Sequence, residues 1–329
     1  MTTNQDRRRV NQALLSFLLG SSAGVTRAAD SDYPSRPINL IVPLSAGSDT
    51  DVIARLLGER MGRLLGQPFV VDNKIGAGGQ IGTQALALSK PDGYTLSLTF
   101  QAALALVPHL KLKKPYDPVK DFSPVGLFAT TGNALLVSAN SPIKTLAELI
   151  SRAKAAPGKM NFGSWGVASG GHLMGEYMKK LADIDIVHVP FKGTSESLLA
   201  LLNGDIEMMF AGYGLATNQV QSGKVRVLAV CAKQRGPTLP NIPTFSELGI
   251  PLAIDGWFGL IAPAGTPSDI INKLNIAIAT VCKQTDLADR VATLGMKLAP
   301  SSAAEFGALI QKDFQTWGNI VKDAKVSAE

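Results

Sequence analysis

Cysteine is almost missing from this chain. Cys231 and Cys282 are the only two in 329 residues. That excludes a disulfide framework, and no cysteine–histidine spacing suits a structural zinc. An exported chain with two cysteines can pair them. Here Cys231 follows the strand-like run 225–230, and Cys282 ends the helical run 269–282, about fifty residues on. They are expected in different lobes, as buried free thiols. Aromatic residues make up only 6%, too few for a nucleic-acid surface built on stacked bases. The three histidines, His109, His172 and His188, come without a paired nucleophile or acid. No internal repeat and no low-complexity linker divides the chain.

Long hydrophobic runs are missing as well. The best candidate, residues 13–19, is far short of the roughly 20 residues that span a bilayer. It follows Arg7, Arg8 and Arg9 and precedes small residues ending in Thr26-Arg27-Ala28. Basic, apolar and small segments in that order read as an export signal cleaved near Ala28 or Ala29. A basic tail without a targeting role is the alternative. The paired arginines admit the twin-arginine route, although Asn11 and Gln12 depart from the apolar residues usual there. Residues 1–28 carry a net charge of +3, which leaves +3 of the formal +6 on the remainder. Such a weak positive balance suits anionic solutes and is too small to argue for nucleic acid.

What the chain does have is alternation. Hydrophobic residues reach 46%, enough for a substantial core. Strand-like runs at 38–42, 69–71, 94–99, 134–137, 160–162, 186–190, 206–210, 225–230 and 257–262 are interleaved with helix-like runs. The latter include 145–155, 171–181, 195–202, 269–282 and 303–321. The order implies βαβ units, an α/β fold and mainly parallel sheets flanked by helices. The most informative segment is Val42-Pro43-Leu44-Ser45-Ala46-Gly47-Ser48-Asp49-Thr50-Asp51. It leads from a strand into a helix whose apolar side chains recur at Ile53, Leu56, Leu57, Met61, Leu64 and Leu65. A loop opening onto a helix N-terminus offers free N–H groups to an anion.

Two motifs invite enzymatic readings that fail on detail. Gly76 to Gly82 follows a strand, but Ile81 stands where a dinucleotide fingerprint needs its last glycine. No acid lies in 94–99 to hold a ribose. Around Ser164 and Ser169 neither sequence is the G-x-S-x-G of a hydrolase. His172 is expected on the first turn of an amphipathic helix, where a structural role competes with a binding one.

The motifs, taken in order, resemble Bug-type receptors, the extracytoplasmic solute receptors of the tripartite tricarboxylate transporter family. The resemblance begins with the loop at Pro43–Asp51. It continues through Gly66-Gln67-Pro68, Gly76-Ala77-Gly78-Gly79-Gln80-Ile81-Gly82, Pro91-Asp92-Gly93-Tyr94 and Tyr116-Asp117-Pro118. In the second half it takes in Phe162-Gly163-Ser164, His188-Val189-Pro190-Phe191-Lys192-Gly193, Leu239-Pro240-Asn241 and Trp257-Phe258-Gly259. It covers the whole mature chain.

The resemblance implies a two-lobed, hinged, periplasmic-binding-protein-like (Venus flytrap) fold. Lobe 1 comprises 29–131 and 255–329, and lobe 2 is the insertion 132–254, entered by a crossing strand at 128–137. It also implies a receptor, not an enzyme, that passes a small organic solute, a carboxylate or its amide, to membrane permease subunits. No cofactor or metal is expected, and the receptor is expected to be a monomer. A receptor of the same fold feeding a signalling kinase is the alternative, ahead of an enzyme using the cleft. Candidate ligand residues are Ser45, Ala46, Gly47, Ser48, Asp49 and Thr50 in the first loop, and Gln101 after the third strand. In lobe 2 they are Ser164, Trp165, Gly166, Ser169 and His172, then Phe191, Lys192 and Gly193, then Ala211, Gly212 and Tyr213. Lys192 either pairs with a solute carboxylate or is simply solvated. Where the family often carries an acid, this chain has Ala211. Where the family has a small neutral residue, this chain has Asp49. Either Asp49 or Thr50 caps the helix, or Asp49 faces the cleft and shifts preference toward an amide, hydroxyl or cation.

Overall fold

The run Ile38–Val42 forms strand β1 because Ile38, Leu40, Ile41 and Val42 bury on both faces of a central strand. The loop after it ends where Ser48 caps helix α1, Asp49–Leu65. The Ser48 side chain accepts the N–H of Asp51 at 3.3 Å, satisfying one orphan donor of the first turn. The cap is therefore Ser48, neither Asp49 nor Thr50. Its short side chain reaches the third residue on, while Asp49 already has helical geometry. Ile53, Leu57 and Met61 make the fully buried face, each stabilising the fold by about 1.5–3 kcal/mol. Gly66 ends the helix at φ +76°, a left-handed cap that favours glycine.

A computed structural model describes residues 33–110 and 114–324; the expected export signal lies outside them. Residues from Arg36 onward cluster as one compact unit. Its further strands are β2 (Phe69–Asn73), β3 (Thr95–Phe100), β4 (Phe122–Thr131), β5 (Asn133–Ser138), β6 (Asn161–Ser164), β7 (Val187–Pro190), β8 (Met208–Gly212), β9 (Val225–Val230), β10 (Gly256–Pro263) and β11 (Lys297–Leu298). Helices following in the chain are α2 (Gln80–Ala87), α3 (Leu146–Ala155), α4 (Gly170–Ala182), α5 (Thr194–Asn203), α6 (Tyr213–Gln221), α7 (Ser268–Val281), α8 (Thr285–Thr293) and α9 (Ala303–Ala324).

Two sheets result. One has the order β11-β4-β10-β3-β1-β2 and the other β7-β6-β8-β5-β9. The expected α/β class with two helix-flanked sheets is found, but the sheets are mixed rather than mainly parallel. β10 runs antiparallel to β3 and β4, and β5 runs antiparallel to β8 and β9. These are the strands by which the chain enters one sheet from the other, so their direction is set by the crossing. Both faces of the second sheet are covered. Leu135, Val137, Met208 and Phe210 point into one cluster, while Ala134, Leu136, Met209 and Ala211 point into the other. Buried two-faced strands read as continuous apolar runs, which is how the sequence shows them.

The chain passes between sheets at Gly132 and again through 231–255. The expected crossing strand is broken at Gly132 into β4 and β5. A side chain there would overlap Cζ and Oη of Tyr213. Gly132→Ala is expected to cost about 1–3 kcal/mol by overpacking. Denaturant unfolding measures this, and trimming Tyr213 to alanine in the same chain should recover part of it. Equal stability of Gly132→Ala and the parent would count against this packing.

The C-terminal helix links the two halves. Phe306 and Ile310 pack with Trp257 and Ile261 of the first sheet, whereas Trp317, Ile320 and Val321 join the core of the second. Lys180 Nζ holds Asp323 at 2.5 Å. Both cysteines are free thiols, Cys231 buried and Cys282 partly so. Burial pushes Cys282 up to about 12 and raises Cys231 well above its ordinary value, leaving neither as a reactive thiolate.

Candidate functional site

Four helix N-termini open onto one cavity of about 630 Å³. Asp49 begins α1, Gly170 begins α4, Thr194 and Ser195 begin α5, and Gly212, Tyr213, Gly214 and Leu215 carry the start of α6. First-turn amides have no acceptor within their own helix. Three are answered locally: Asp51 N–H by Ser48 Oγ, His172 N–H by Ser169 Oγ at 3.3 Å, and Tyr213 N–H by the Gly132 carbonyl at 3.1 Å. The others, at residues that line the cavity, face a ligand with the positive ends of four helix dipoles.

The remaining wall comes from the crossings and the helix that links them. Thr131, Gly132 and Asn133, then Gly256, Trp257 and Phe258, bring both chain passages to the cavity. Gln101 Nε2 donates to the Asp255 carbonyl at 2.7 Å and to Asp313 Oδ2 at 2.8 Å. Trp257 Nε1 donates to the same oxygen at 2.7 Å. Asp313 of α9 thus fixes two wall residues at once. All three tryptophans of the chain, Trp165, Trp257 and Trp317, line the cavity.

Of the residues expected from sequence, Asp49, Gln101, Trp165, Gly212 and Tyr213 stand on this wall. The rest are not among the residues that line it, and several of them hold the wall in place. Ser45, Ala46 and Gly47 are exposed and Thr50 is buried. The loop is fixed from beneath by Asp51, which is 3% exposed. Its carboxylate accepts Gly47 N–H at 2.9 Å, Asn73 Nδ2 at 2.9 Å and a two-pronged Arg55 guanidinium at 3.0 Å. Burial alone would raise this carboxyl, but the hydrogen bonds from Arg55, Gly47 and Asn73, with the guanidinium charge, hold it below the usual range.

The second loop is organised by histidines. Ser164 is fully buried, and its Oγ is spent on His188 Nε2 at 2.7 Å and the Gly166 carbonyl at 2.9 Å. His172 is 8% exposed. Its Nδ1 accepts the N–H of Ala168 at 3.0 Å, and Ala168 adopts a positive φ of 60°. The two imidazoles stack with centroids 3.7 Å apart. Gly166, Ser169 and His172 therefore act on the loop that carries Trp165. Ser169 does so as the cap of α4.

Phe191 packs beside the second sheet's core, Lys192 is exposed, and Gly193 caps α5. Ala211 is fully buried between the sheet and its helices. None of these four is on the wall; the residues just after Gly193 are. Sequence reasoning, which stopped at Gly193, missed Thr194 and Ser195 by one and two residues. It missed Gly214, Leu215 and Asn218 because α6 has too weak an apolar face to be seen. Only the fold brings Thr293, Leu294 and Trp317 to the cavity. The three tryptophans are scattered through the sequence at 165, 257 and 317 and converge only in the fold, so no local signal pointed there.

The pattern of the family described as tripartite tricarboxylate transporter family receptor matches residues 53–326. The chain belongs to that family. Its relatives include BugT of Bordetella pertussis, 32% identical over 310 residues, covering 92% of this chain and 94% of BugT. Among solved structures, Rpa4515 of R. palustris with adipate is 30% identical with TM-score 0.78, over 90% of this chain and 99% of that one. MatC of Rhodopseudomonas palustris with bound malate is 32% identical with TM-score 0.74, over 88% and 100%. Like its family, this receptor has two lobes, and it binds a solute for a tripartite tricarboxylate transporter.

One feature of this tripartite tricarboxylate receptor's wall is its charge. Asp49 is the sole ionisable carboxylate or cation among the described residues that line it. Its side chain meets solvent in the cavity. The protein around it nevertheless raises its pKa by desolvation.

Proposed function

We propose that this receptor works in the periplasm, captures a small organic carboxylate or its amide between its lobes, and delivers it to the permease subunits of its transporter. The convergence of four helix N-termini on one cavity is the observation that carries this reading. Each charge-assisted hydrogen bond to a carboxylate contributes about 1.5–3 kcal/mol. Two or three, with burial of the carbon chain, supply the roughly 8 kcal/mol of micromolar binding. The residues on the wall, led by Asp49, Gln101, Trp165, Thr194, Ser195 and Tyr213, are the proposed contacts. The lobes divide near Gly132 and Gly256, with the last turns of α9 carried by the second lobe. Ligand contacts made with both lobes at once drive closure. The receptor acts as a monomer and without chemistry on its solute.

A thermal-shift screen of the mature protein against small acids, amides and amines tests this. A true solute at a hundred times its dissociation constant is expected to stabilise the fold by about 2.7 kcal/mol. Tryptophan emission should change with it, and the solute should be recovered unchanged. A panel without any stabilising acid or amide would sink the carboxylate reading; conversion of the solute would sink the receptor reading.

A further inference from the structure

The cavity has two chemically distinct ends. First-turn amides of α4, α5 and α6 present donors from the second lobe. Tyr213 and Trp317 also line the cavity, but their polar atoms, Oη and Nε1, are buried behind the wall without a protein partner. The Tyr213 hydroxyl lies against Gly132, itself part of the wall. The first-turn amides, with the positive ends of their helix dipoles, fit a carboxylate. From the first lobe comes Asp49, whose carboxylate is engaged by no hydrogen bond or ion pair among the described residues. Asp51, two residues on, takes donors from Gly47, Arg55 and Asn73. Donors from the loop, the helix and β2 thus go to the structural acid, and the cavity acid is left bare.

Closing the lobes on a diacid would enclose Asp49 with a second negative charge, away from water and without a cation on the wall. An unanswered charge taken from water is strongly disfavoured. A solute with a carboxylate at one end and a protonated amine at the other answers both ends. Tryptophan faces also favour a cation.

Resting on the receptor reading above, we propose that Asp49 is the specificity-determining residue of this site and selects a small zwitterion, a carboxylic acid bearing a protonated amine, over the corresponding diacid.

Calorimetry near neutral pH decides it, with matched diacids, ω-amino acids and ω-amides of increasing chain length; adipate, 6-aminohexanoate and adipic monoamide form one set. The parent protein is expected to bind the amino acid about tenfold to a hundredfold more tightly than the diacid, the worth of one charge-assisted hydrogen bond. Asp49→Asn, which keeps the side-chain shape, is expected to abolish or invert that ratio, with folding checked by thermal unfolding. A diacid preferred by the parent, or a ratio unchanged in Asp49→Asn, overturns the assignment and leaves the receptor reading standing. Preference for the amide in both proteins also overturns it, since charge is then irrelevant. Failure of every compound to bind either protein counts instead against carboxylate capture itself, and the assignment falls with it.

Discussion

Replacing Asp51 with alanine is expected to abolish solute binding and to cost about 3 kcal/mol of stability. Four donor contacts converge on that carboxylate: Gly47 N–H, Asn73 Nδ2 and two from Arg55. Hydrogen bonds to a charged group contribute about 1.5–3 kcal/mol each, and a buried donor left unanswered costs about 1–3 kcal/mol. Arg55 is more than half exposed and returns to water, so its loss adds little. Gly47 N–H and Asn73 account for most of the effect. Without Asp51, Gly47 is released from its φ of +80° and Asn73 loses one of its two acceptors, the other being the Leu44 carbonyl at 2.9 Å. The loop that ends at Asp49 then loses its position at the cavity. Because the folded-state pKa is depressed, this stabilisation is complete above the ordinary carboxylate range. It is lost as pH falls through the lower folded value. Denaturant unfolding and calorimetry near neutral pH are the checks. Unaltered affinity in a folded Asp51→Ala protein would show that the loop holds its shape without this carboxylate.

Acidification is expected to weaken the second lobe through His188. Burial, then the neighbouring His172 and Lys179, push its pKa down to about 4. In the unfolded chain an imidazole titrates near 6.5. Between those values the unfolded state takes a proton that the folded state refuses, so stability falls as pH drops from about 6.5 to 4 and then levels off. At 1.36 kcal/mol per pKa unit, the loss from this group reaches at most about 3 kcal/mol. His172 and His109 are lowered in the same direction, in both cases chiefly by burial, and add to the slope. Unfolding curves across this range should show the decline, and His188→Gln should remove the largest share of it. A variant that declines as steeply as the parent would place the acid sensitivity elsewhere. The solute should also dissociate more readily in acid, because His188 and His172 hold the loop bearing Trp165.

The loop at Ser45–Thr50 was legible because it is continuous in the chain and its helix declares itself by spacing. Asp51 was not singled out: Gly47 and Arg55 lie four residues to either side of it, but an i,i+4 pair reads as a solvated helix face, and the partner that helps bury the carboxylate, Asn73, lies on β2. His188 had no partner in the sequence, yet it meets Ser164 and stacks on His172 because parallel β6 and β7 set them side by side. Lys192 is exposed at the strand end and is not among the residues that line the cavity, a placement no local pattern records.

By itself the sequence determined the α/β class, nearly all the strands, most of the helices, the loops between them and the family. These rest on relations within a few residues: the periods of 2 and 3.6, a cap and its helix, a glycine and its turn. Only the tertiary structure decided which way the crossing strands run, which side of each loop faces inward, and that Asp49, Gln101, Asn133, Ser195, Tyr213, Trp257 and Trp317 share one cavity. Those outcomes depend on pairing and packing between segments as much as two hundred residues apart, for which no local pattern of side chains is a record.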